Sequence, residues 1–92
     1  MTSPRYTQNP DTPVTVIAGE AAIVTPWDQR IHLLDPIATV IWSLCESADG
    51  RTMAELVDTL VDDFDAERAV IVRDTEAFVT NAVELGLLTR LG

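Results

Sequence analysis

An Asp-Pro pair at 35–36 turns one apolar run into two different elements. Asp35 suits a helix N-cap, because its carboxylate accepts from a free N–H of the first turn. Pro36 then falls at the first helical position, where its missing N–H costs nothing and its fixed φ already fits. Behind the pair, Ile37, Val40, Ile41, Leu44 and Cys45 recur at the spacing of one helical face. Trp42 lies beside that stripe, on the lane of Ala38 and Cys45, and reads as an anchor at the rim of the core. Ahead of the pair, residues 30–34 (Arg-Ile-His-Leu-Leu) read as a short strand. Such a strand has few neighbours, and whether its outer edge is covered decides what the chain can do.

Two β-branched runs precede it, 14–18 and 21–25, separated by Gly19-Glu20. Glycine at the first central position of a two-residue loop fits a type II′ hairpin, which sets Val16 opposite Ile23 and Ile17 opposite Ala22. Residues 26–29 (Pro-Trp-Asp-Gln) turn the chain into the strand at 30–34, with Ile31 and Leu33 expected to face the core. Three strands in a meander are marginal in water unless one face rests on helices. Residues 1–13, with Pro4, Pro10 and Pro13 among polar side chains, read as a mobile tail, leaving 14–92 as the folded domain.

After a break at 47–50, Thr52 and Glu55 form a capping box. Met53, Leu56, Val57, Leu60, Val61 and Phe64 then supply a buried stripe opposite Asp58, Asp62 and Asp63. A third helix covers 74–85 and stops at Gly86, a residue suited to the position after a helix end. Residues 65–68 fit either a loop or the start of that helix. Its core stripe is Ile71, Thr75, Phe78, Ala82 and Leu85, and a second apolar lane of Val72, Val79 and Val83 runs beside it. Leu87, Leu88 and Leu91 close the bottom of the core.

Fifteen acidic residues stand against six arginines and no lysine, a net charge of −9. That balance disfavours a phosphate-backbone partner. One cysteine excludes an internal disulfide and the usual multi-cysteine zinc sites. No run is long and apolar enough for a membrane span and no signal pattern opens the chain, so a cytoplasmic domain with no membrane partner is expected. His32, the only histidine, has no serine or cysteine near it in sequence, and the glycines are too scattered to cradle phosphate. The acidic run at 62–67 lacks the central glycine and spacing of a calcium loop. Neither catalysis, a cofactor nor a metal is expected.

The order of motifs resembles the PqqD family, the leader-peptide recognition domains of ribosomal peptide natural-product (RiPP) pathways. Ala22-Ile-Val-Thr-Pro26, then Arg30-Ile-His-Leu-Leu-Asp35, then Ala38-Thr-Val-Ile-Trp-Ser-Leu44 follow its pattern. So do Asp49-Gly50-Arg51-Thr52, the Asp74, Phe78 and Val79 positions, and Gly86-Leu-Leu88. Asp35-Pro36 departs from the family's Asn, and Thr75 from its aliphatic residue. The resemblance implies an α+β, winged helix-turn-helix-like fold: a three-stranded antiparallel meander followed by three helices. It also implies that a precursor's leader adds as a strand to the open edge at 30–34 and lies against the third helix, a docking mode called β-augmentation.

On that basis the peptide-binding residues expected on the strand side are Trp27, Gln29, Arg30, Ile31, His32, Leu33 and Leu34. Those expected on the helix side are Val72, Arg73, Glu76, Val79, Thr80 and Val83, the valine lane serving as pocket wall. The implied role is a stand-alone, non-enzymatic peptide chaperone, monomeric or weakly dimeric, in lasso-peptide or PQQ-like biosynthesis. It would hand its cargo to a modifying enzyme, either a radical-SAM enzyme or a leader peptidase. Two other roles compete: a winged-helix DNA-binding regulator, and a degenerate scaffold or dimerisation module. Against DNA, residues 74–85 carry no basic residue and three acidic ones. Which parity of the strand at 30–34 points outward is open from sequence.

Overall fold

The structure, a computed structural model, describes residues 3–92. Three strands, β2 (Val14–Ile17), β3 (Glu20–Thr25) and β4 (Arg30–Leu33), form the expected antiparallel meander in the order β2-β3-β4. They lead into α1 (Pro36–Leu44), α2 (Met53–Asp63) and α3 (Arg68–Leu85). The local signals act as read. Asp35 accepts from the Ala38 N–H at 2.7 Å, and Thr52 and Glu55 bond each other's backbone N–H at 3.2 and 2.9 Å. Gly86 ends α3 at φ 82°, the left-handed conformation glycine adopts without strain. The ambiguous stretch before α3 resolves with Arg68 already helical.

The hairpin register differs from expectation by two residues. Ala18 and Gly19, with φ of 52° and 82°, take the turn, so Val16 meets Ala21 and Val14 meets Ile23. Positive φ at both central residues is the type I′ geometry, which matches strand twist and moves the loop back from Gly19-Glu20. Glu20 belongs to β3 instead.

The larger difference is at the N-terminus. A mobile tail was expected through residue 13, yet β1 (Arg5–Gln8) is the middle strand of a second sheet. It lies between β5 (Arg51–Thr52) and β6 (Leu88–Leu91), antiparallel to both. Met1 and Thr2 lie outside the described residues. The polar side chains that suggest disorder are what tie this strand down. Thr7 Oγ1 donates to the Ser47 carbonyl (2.7 Å), Gln8 Nε2 to Trp42 (2.7 Å) and Asn9 Nδ2 to Gly86 (2.8 Å). Each adds a donor to a carbonyl at or just past a helix end, and those of Trp42 and Ser47 also accept from the Cys45 and Gly50 N–H groups.

The core joins Ala21 and Ile23 of the meander to Ile41, Trp42 and Cys45, to Leu56 and Leu60, to Ile71 and Val79, and to Leu87. Trp42 is inside this core, 3% exposed, rather than at its rim. Among the described residues no helix is long and apolar enough to cross a membrane.

Candidate functional site

β4 is the end strand of its sheet. Just past it, the Leu34 N–H donates to the Ala21 carbonyl at 2.9 Å. Register continues as Leu33–Ala22, His32–Ile23, Ile31–Val24 and Arg30–Thr25. Antiparallel partners alternate between bonded and non-bonded pairs, so Arg30, His32 and Leu34 spend their main-chain groups on β3. Ile31 and Leu33 therefore turn their N–H and C=O to the open side, which settles the parity.

Their side chains do not face the core, contrary to expectation. Ile31 and Leu33 are 68% and 81% exposed. They share the outer face of the sheet with their partners Val24 and Ala22, because β3 buries the alternate residues Ala21, Ile23 and Thr25.

The strand is held at its start by a small polar knot. Thr25 donates from its hydroxyl to Asp28 and contacts His32 Nε2 at 3.1 Å, while the Arg30 N–H reaches Asp28 Oδ1 at 3.2 Å. The Thr25 hydroxyl bond is the chief reason the exposed Asp28 carboxyl sits below its ordinary value of 3.8. Gln29 makes the turn with φ 57°, and so acts through the backbone. Trp27 lies across Gly86, where a Cβ would come within 2.8 Å of its Cζ2. This contact pins the turn before β4 to the end of α3.

Between β4 and α3 runs a cleft of about 300 Å³, lined by His32, Leu33, Leu34, Asp35, Ala38, Phe78, Asn81, Ala82, Leu85 and Leu87. A smaller compartment of about 120 Å³ continues from it, walled by Asp35, Ile37, Ala38, Ile41, Asp74 and Phe78. Asp35, Ala38 and Phe78 belong to both, so the two make one trough. The helix wall is thus Asp74, Phe78, Asn81, Ala82 and Leu85, five positions on one helical stripe.

The residues expected to form that wall lie elsewhere. Val79 is core, 1% exposed, and Val72 is half-buried against the same core. Val79, Thr80 and Val83 face a different cleft, on the opposite flank of α3, with Tyr6, Glu84 and Arg90. Arg73 and Glu76 are exposed and line neither cleft. The second apolar lane needed a cover, and β1 and β6, unseen in the sequence, supply it. Phe78 and Leu85 were legible as apolar but read as core, whereas Asp35, Ala38 and Asn81 carried no signal as wall residues. Among the described residues, no three His, Cys, Asp or Glu side chains cluster to hold a metal.

The sequence model of coenzyme PQQ synthesis protein D (PqqD) matches residues 10–88. The chain belongs to the PqqD family. No curated protein matches this PqqD-family chain by sequence. Two solved structures share its fold. One is TbiB1 in complex with the TbiA(beta) leader peptide, with TM-score 0.77 and 22% identity, over 89% of this chain and 93% of that one. The other is a lasso peptide synthetase B1 complexed with the leader peptide, with TM-score 0.77 and 21% identity, over 92% and 98%.

Proposed function

We propose that this PqqD-family chain is a non-catalytic recognition domain that holds the leader of a ribosomally made precursor peptide. The leader adds as a strand to β4, and the remainder of the precursor is thereby presented to a separate modifying enzyme or leader peptidase. The observation that carries this is the outward-turned main chain of Ile31 and Leu33 beside a trough that Leu34, Ala38, Phe78 and Leu85 help to line. An added strand draws affinity from main-chain hydrogen bonds and specificity from the pockets that receive alternate side chains. Every second peptide residue would drop toward Phe78 and Leu85, and the others would extend the outer face of Ile31 and Leu33. Both similar structures hold leader peptides, which supports the same use of this fold here.

The test is fluorescence anisotropy with labelled peptides from the N-terminal segments of small precursors encoded beside this gene. Saturable binding that Leu33→Pro abolishes in a still-folded protein is the expected result. A folded wild-type protein that binds none of them defeats the proposal.

A further inference from the structure

The docking trough has two chemically distinct ends. Toward Leu85 its walls are Leu34, Ala38, Phe78 and Leu85, with Asn81 on the α3 side, His32 on the strand side and Asp35 at the junction with the narrower end. Past the end of β4 it narrows onto Ile37 and Ile41, and the polar side chains there are two carboxylates, Asp35 and Asp74. Among the described residues no arginine lines either compartment. Asp35 spends one oxygen on the Ala38 N–H, and the positive end of α1 matches part of its charge. Asp74 has less to balance it. Among the described residues its ion pair is with the adjacent Arg73 at 3.7 Å, between side chains 50% and 74% exposed. Such an exposed pair is worth little and exchanges readily for another cation.

Resting on the docking proposal above, we infer that this end of the trough selects a lysine or arginine. The preferred ligand is then an extended segment with an apolar residue on Phe78 and Leu85 and a basic residue at Asp74 and Asp35. A long basic side chain suits the place, because its methylene stem can lie along Ile37, Ile41 and Phe78 while its head reaches the carboxylates. Alternate side chains of a strand point to one face, so the basic residue falls an even number of positions from the apolar one. An acidic residue at that position would meet two carboxylates and be rejected. The net charge of −9 attracts any basic peptide, but only the trough makes the position of the charge matter.

Random dodecapeptides displayed on phage, selected in parallel on the wild type and on Asp74→Lys, give the probe. The best wild-type binder is then synthesised with its basic residue kept, or changed to alanine or glutamate. Wild-type selections should enrich the apolar and basic pair at even spacing. The glutamate peptide should bind the wild type about tenfold or more weakly. Asp74→Lys should recover that loss and Asp74→Asn should shrink it. Melting curves show whether both variants fold, as expected for a half-exposed side chain. Enriched peptides with no basic residue at that spacing, or a glutamate penalty unchanged by folded Asp74→Asn or Asp74→Lys, overturn the inference and leave docking on β4 standing. No enrichment, or enrichment indifferent to Leu33→Pro, brings down the docking proposal and this one with it.

Discussion

Three buried side chains of this domain differ in what their polarity costs. Thr75 is fully buried in α3 and its hydroxyl has no hydrogen-bond partner. A buried, unsatisfied hydroxyl is destabilising, so Thr75→Val should stabilise by about 1 kcal/mol and raise the melting temperature by roughly 4–8 °C. Val79 is equally enclosed, and Val79→Asp should destabilise by about 3 kcal/mol or more, an outcome a melting curve separates from a mere loss of binding. Cys45 is fully buried, and burial pushes its thiol up to about 11 from an ordinary 9.0. The folded state thus keeps its proton longer than the unfolded one. The associated stability is complete below pH 9.0 and is lost as pH rises to about 11, a difference of about 2–3 kcal/mol. Urea titrations from pH 8 to 11 should show this alkaline limb in the wild type and a flatter one in Cys45→Ala, with no lysine to confuse the window.

At the level of elements, the edge strand invites a scan by proline, which removes an N–H and is tolerated only where that group points away from the sheet. Arg30→Pro and His32→Pro should break the ladder to β3 and lower the melting temperature. Ile31→Pro and Leu33→Pro should leave the domain folded yet bind peptide poorly, with Ile31→Met and Leu33→Met controlling for the lost side chains. Circular dichroism and anisotropy on the same six variants check this, and normal binding by every folded proline variant would remove β4 as the docking edge. How far such elements were legible follows from the range of the forces that make them. Asp35-Pro36, Thr52 with Glu55, and Gly86 act within one helical turn, so the helix ends were readable. The hairpin slipped by two because Ala18 takes a positive φ that its identity does not advertise. β1 was invisible, its partners lying in the middle and at the far end of the chain and its anchors being polar side chains that composition assigns to disorder. For α3 both apolar lanes were seen, but which lane faces β4 depends on β1 and β6, so the lane expected beside β4 lies on the other flank.

For the molecule as a whole, charge decides what stays away. Helix α3 is longer than expected and so does contain two arginines, but Arg68 pairs with Asp58 at 2.7 Å and Arg73 contacts Asp74. With a net charge of −9, no duplex DNA binding is expected at physiological salt, and a salt-sensitive gel shift at micromolar protein would contradict this. The second sheet has a consequence of another kind. β1 and β6 run antiparallel with Arg5 beside Leu91, so the chain leaves the domain at nearly the point where it enters. That doorway lies on the flank of α3 away from the trough, where Tyr6 and Arg90 meet Val83. The polypeptide is almost a closed ring, and a cassette with both ends at one corner is portable. A segment joined at either end would emerge on that flank and leave β4 uncovered.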